Sequence, residues 1–164
     1  MEILSDDDIR DLIEIKKVSS RKIDARYLKM GGLGQRKANF EVQGVDGSRF
    51  KVKIRQSSVN LLDFSIILSF CSSTTNRVYN LRRYNGNSHK HINKIEGNVI
   101  DHKFHKHIAT ERYLRRGFRI EGFANETDEY HTIEECLIVF QRDCNIVEGN
   151  TSVTRLQEFD KDDG

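Results

Sequence analysis

Between Ala38 and Tyr84 the chain repeats one pattern: apolar and polar residues alternate, then a short polar break follows. Ala38, Phe40 and Val42 alternate with Asn39, Glu41 and Gln43. Phe50, Val52 and Ile54 alternate with Lys51, Lys53 and Arg55. Phe64, Ile66, Leu68 and Phe70 keep the period over residues 62–71, and Val78 to Tyr84 make a fourth extended run. Side chains of a strand point alternately to its two faces, so a period of two describes strands with one buried and one wet face. Asp46-Gly47, Ser72 to Asn76 and Asn85-Gly86 supply turn chemistry at the breaks. Consecutive strands with links this short predict an antiparallel meander.

Helical signals flank the meander. Ser5 can cap a helix whose first turn holds Asp6, Asp7 and Asp8, with Leu4 and Ile9 placed as a hydrophobic staple. Ile9, Leu12 and Ile13 share one face, which predicts a helix over 6–17. A second helix is expected over 20–29, ended by Gly31, Gly32 and Gly34, which match neither G-x-G-x-x-G nor a P-loop. A short helix over 108–116 and a strand over 118–123 follow. Thr132 and Glu135 form a capping box, and Ile133, Cys136, Leu137 and Phe140 recur at helical spacing, which predicts a helix over 133–144. The expected fold class is α+β: an antiparallel β-sheet of about five to six strands with an N-terminal and a C-terminal helix packed on it. Residues 1–147 then form one domain, and 148–164 an acidic tail.

The chain has 164 residues, a length typical of a single domain. No apolar run approaches the ~20 residues of a membrane-spanning helix, and the acidic start lacks the basic region of a secretory signal. Cys71, Cys136 and Cys144 are odd in number and lack C-x-x-C spacing, which suits reduced cysteines in a cytoplasmic setting.

The formal net charge of +2 conceals an asymmetry. Residues 76–119 hold 11 basic and 3 acidic residues and five of the six histidines, whereas 120–164 hold 3 basic and 12 acidic. The basic middle can attract phosphates if the fold gathers it on one face. It contains Arg82, Arg83 and Tyr84, then His89 and His91, then His102, His105 and His107, then Arg112 and Tyr113. Imidazoles titrate near neutrality and serve as acid or base, arginine forks hold phosphate oxygens, and tyrosines orient or stack. That set suits metal-independent RNA cleavage, with His91, His105 and His107 as the catalytic groups. Arg82, Arg83, Tyr84, His89, Arg112 and Tyr113 would then hold the substrate.

A zinc or other transition-metal site at His102, His105 and His107 is an alternative that needs the backbone to curl. So is a non-catalytic module that binds nucleic acid or an acidic protein through the same strip. The strip also reads simply as a solvated face. Docking of the acidic last third onto the basic middle of a second copy would give a homodimer.

Four pieces in order resemble the TumE-type toxins of toxin–antitoxin pairs. They are Arg83-Tyr84-Asn85, Ser88-His89-Lys90-His91, Phe104-His105-Lys106-His107, and Thr132-Ile133-Glu134-Glu135-Cys136-Leu137. The resemblance covers residues 62–146 and leaves 1–60 as an extension of helix plus hairpin; Asn85 stands where the family carries an acid. It implies a toxin-like RNA-directed protein, an α+β core, a cytoplasmic location, and an antitoxin partner with a DNA-binding domain.

Overall fold

The computed structural model describes residues 3–149. The chain opens with helix α1 (Asp6–Glu14), whose start is fixed by reciprocal bonds. Asp8 N donates to Ser5 Oγ, and Ser5 N donates to Asp8 Oδ2, both at 3.0 Å. Strands β1 (Lys17–Ser19), β2 (Lys29–Met30), β3 (Gln35–Gly44), β4 (Arg49–Ser57), β5 (Phe64–Cys71) and β6 (Val78–Asn85) follow. Next come β7 (Lys90–Ile92), β8 (Val99–Asp101), β9 (His105–Ile108), α2 (Glu111–Arg115), β10 (Phe123–Glu126), α3 (Ile133–Asp143) and β11 (Ile146–Glu148).

The α+β class and the helix at each end agree with the pattern; the strand count does not. The main sheet has nine strands rather than five or six, ordered β10-β9-β6-β5-β4-β3-β1-β11 with β2 also beside β3. The four added strands are three to four residues or shorter, too brief to show a period. Every pair is antiparallel except β1 with β11, so the segment after α3 returns beside the start of the chain. The acidic tail therefore yields Glu148 to the sheet, and the rest of it from residue 150 lies outside the described residues. The helix expected over 20–29 is a single 3-10 turn at Ala25–Tyr27, because Asp24 caps Arg26 N and the chain then enters β2. The strand expected over 118–123 begins only at Phe123.

One face of the sheet carries Phe40, Val42, Phe50, Val52, Ile54, Phe64, Ile66 and Leu68, all buried beneath Ile9 and Ile13 of α1 and Cys136, Leu137 and Phe140 of α3. Both helices end at one cation. Lys17 is fully buried, and its Nζ donates to Ile13 O (2.7 Å), Ile15 O (2.9 Å) and Cys144 O (2.8 Å). Terminal helix carbonyls lack intrahelical donors and carry the negative end of the dipole, so an ammonium satisfies both needs. Burial draws the amine down to about 8, which leaves it charged at neutral pH.

Among the described residues no helix is long and apolar enough to cross a membrane. Replacing Lys17 by Met should strand these carbonyls and cost about 2–5 kcal/mol of unfolding free energy. Urea denaturation measures it, and a loss below about 1 kcal/mol would show that water replaces the ammonium.

Candidate anion-binding face and imidazole cluster

The second face of the sheet lies away from α1 and α3, and its register defines what it displays. Gln43↔Arg49, Glu41↔Lys51, Asn39↔Lys53 and Lys37↔Arg55 pair across β3 and β4, and β5 continues the rows with Cys71, Ser69, Ile67 and Ser65. Lys37 and Arg49 are exposed; Lys51, Lys53 and Arg55 are half-exposed. Glu41 lies 3.9 Å from Lys51, and Arg55 reaches Asp63 at 2.9 Å; Lys37, Arg49 and Lys53 have no ion pair among the described residues.

A β-bulge in β6 decides which arginine joins this face. Leu68 opposes Arg82 but Ser69 opposes Asn80, so Leu81 is the extra residue and the alternation is reset there. Asn80, Arg83 and Asn85 therefore share the open face. Arg82 and Tyr84 turn toward the helices, where Tyr84 bonds Asp143 and stacks on Tyr130 with ring centres 6.1 Å apart.

Opposite Arg83 and Asn85 lie His107 and His105 of β9. The β7–β8 hairpin folds back above them. Asn93 fixes it by acting as a strand surrogate for β10: its Nδ2 donates to Ala124 O and its Oδ1 accepts from Ala124 N, both at 2.9 Å. His91 then sits over β9. Ring centres are 4.5 Å apart for His91 and His107, 5.8 Å for His91 and His105, 5.1 Å for His105 and His107, and 5.1 Å for His89 and His105.

Hydrogen-bond partners assign the tautomers. His105 Nδ1 donates to Lys103 O at 2.7 Å and His107 Nδ1 donates to Glu121 O at 2.9 Å, so each keeps its lone pair on Nε2. His91 Nε2 donates to Gly122 O at 2.9 Å. Gly122 is required there, because a Cβ would stand 2.7 Å from the Tyr113 ring. The Glu121 carboxylate, almost fully buried, accepts from Arg83 Nη2 and Asn80 Nδ2 at 3.1 Å each. Burial pulls His105 down to about 4 and His107 to about 2, with neighbouring imidazoles adding to the shift. His89 is also lowered by burial, less strongly, and Asp63 opposes the shift.

The fold thus gathers His89, His91, His105, His107 and Arg83. It does not gather the remaining candidates. Arg82 and Tyr84 lie on the helix side. Arg112 bonds Glu96, whose other oxygen accepts from the Tyr113 hydroxyl at 2.6 Å. His102 points outward to Asp101 at 2.6 Å. Consequently His102, His105 and His107 do not form a metal set, and among the described residues no three His, Cys, Asp or Glu side chains are placed to hold a metal ion. Sequence reasoning overlooked Glu121, which carries no local signal, placed Asn85 only in a turn and a motif, and saw the β4 cations only as the wet side of an alternating strand.

Compared with known protein families, with curated proteins and with solved structures, the chain finds no match.

His105 and His107 stay neutral in the folded chain, whereas unfolded histidines take up protons near pH 6.5. The unfolded state then binds more protons, so stability should fall as pH drops from about 6.5 toward about 4, by on the order of 3 kcal/mol for each ring. Denaturation at stepped pH tests this. The double variant His105→Gln/His107→Asn should flatten that slope, and an unchanged slope would refute the assignment.

Proposed function

We propose that this protein is an RNA-directed module that lays a phosphodiester backbone across the uncovered face of its sheet, with the imidazole cluster at the end of the track. The observation that carries this reading is the row of cations Lys37, Arg49, Lys51, Lys53 and Arg55 against one exposed acid, Glu41, on β3 and β4. Alternate residues of β4 recur at about 6.6–6.8 Å, so Lys51, Lys53 and Arg55 form a regular ladder for anionic groups. The face displays no large exposed aromatic ring. Phosphate contacts therefore outweigh base stacking, which makes the binding tolerant of sequence. A toxin-like role, with an antitoxin covering the same cations, follows from the resemblance to TumE-type toxins.

The imidazole cluster favours a second reading, in which bound RNA is cleaved without metal. His89 and His91 are the rings that solvent reaches; His105 and His107 are buried and neutral and hold the other two in place. In that reading His91 and His89 divide the roles of base and acid, and Arg83, opposite His107 in the register, is the cation of the cluster.

Fluorescence anisotropy with labelled single-stranded RNA tests binding. Lys51→Ala/Lys53→Ala should weaken affinity roughly tenfold or more and lower the salt slope by about 1.4 for two lost phosphate contacts. Affinity insensitive to both salt and this variant would end the proposal. For cleavage, gel assays in chelator should show loss of product with His91→Ala at unchanged RNA affinity. An intact wild-type substrate across pH 5–8 would leave binding alone.

A further inference from the structure

Beside the imidazole cluster, between β7 and the turn that precedes β10, lies a cavity of about 360 Å³. Its walls include Lys90, His91, Lys94, Tyr113, Phe118 and Arg119. Three of the six are cations, none of the lining residues is acidic, and Lys90, Lys94 and Arg119 form no ion pair among the described residues. Of the carboxylates nearby, Glu96 is already engaged by Arg112 and Tyr113, and Asp101 pairs across the hairpin with Lys90. Lys94 and Arg119 border the cavity without an ion pair among the described residues, so an anion seated there gains from both and from Lys90. The cavity also offers an aromatic wall. Lys94 Nζ stands 5.4 Å and the Arg116 guanidinium 5.9 Å from the centre of the half-exposed Phe118 ring. A flat group laid on that ring would keep cations at its edges. The volume falls at the small end of ligand cavities, about 300–1,000 Å³, so it suits one small ligand rather than a polymer segment.

From these features we infer that the cavity is a subsite for one phosphorylated nucleotide, with the phosphate among Lys90, Lys94 and Arg119 and the base against Phe118. His91 lines the cavity and packs on His107, so the subsite adjoins the cluster that ends the sheet's track. This deepens the RNA reading and rests on it only for the source of the nucleotide. That source is either a phosphorylated strand end or a free nucleoside monophosphate.

The test uses the full chain and amide chemical-shift mapping. Adenosine 5′-monophosphate should perturb residues 90–94 and 118–122 and bind at least tenfold tighter than adenosine or inorganic phosphate. Arg119→Gln should weaken it at least fivefold, and Phe118→Leu should reduce it to the affinity of phosphate; both side chains are at the surface. Monophosphate binding no tighter than inorganic phosphate, or shifts spread over β3 and β4, would overturn the subsite. Two RNAs of one sequence, with 5′-phosphate and 5′-hydroxyl ends, separate the sources. Tighter binding of the phosphorylated strand, erased by Arg119→Gln, assigns the subsite to a strand end. Equal RNA binding with the monophosphate still seated assigns it to free nucleotide. RNA that binds nowhere while the monophosphate seats here sinks the sheet-face reading and leaves the subsite standing.

Discussion

A nine-stranded sheet with α1 and α3 on one side must divide its residues between two solvents, and this division governs everything else in the molecule. Phe40, Val52, Ile66 and their neighbours leave water because α1 and α3 cover them. The residues between them lack that helical cover, and on β3 and β4 they are polar. Lysine and arginine serve well there, since their stems lie along the strand while the charged heads remain hydrated. A cationic face is thus one outcome of keeping a sheet surface hydrated.

Burial of Lys17 addresses the weak point of that arrangement. The two helices reach the sheet from opposite ends of the chain, and both finish with unsatisfied carbonyls near the β1–β11 pair. One ammonium joins the two ends. Such a group is expensive to desolvate, and it remains charged because three carbonyl dipoles converge on it. The N-terminal segment is therefore integral to the sheet and not an appendage of the later residues.

The imidazole cluster shows a comparable logic on the other face. Backbone carbonyls of Lys103, Glu121 and Gly122 each take one ring N–H, which orients three rings. Deep burial holds His105 and His107 neutral, so they behave as rigid packing with directed lone pairs. Solvent contact falls to His89 and His91. Half-buried Arg83 pairs with buried Glu121 beside them, which keeps a guanidinium in place near the cluster.

Local chemistry alone determined the meander, the two capped helices and the wet side of β4, because each depends on a period or a cap that spans only a few neighbouring residues. The capping residues Ser5 and Thr132 act where the sequence places them, and the Lys51, Lys53, Arg55 alternation reaches the structure intact. Only the tertiary structure decided the rest. The bulge at Leu81 exchanged Arg82 for Arg83 on the open face, a choice made by pairing with β5 and invisible in β6 itself. The short strands β1 and β11 exist because each finds the other across more than a hundred residues. His91 meets His107 because Asn93 anchors a hairpin to the edge of β10. Contacts between distant segments are set by packing and by which backbone groups need partners, and neither quantity is written in any local stretch of residues.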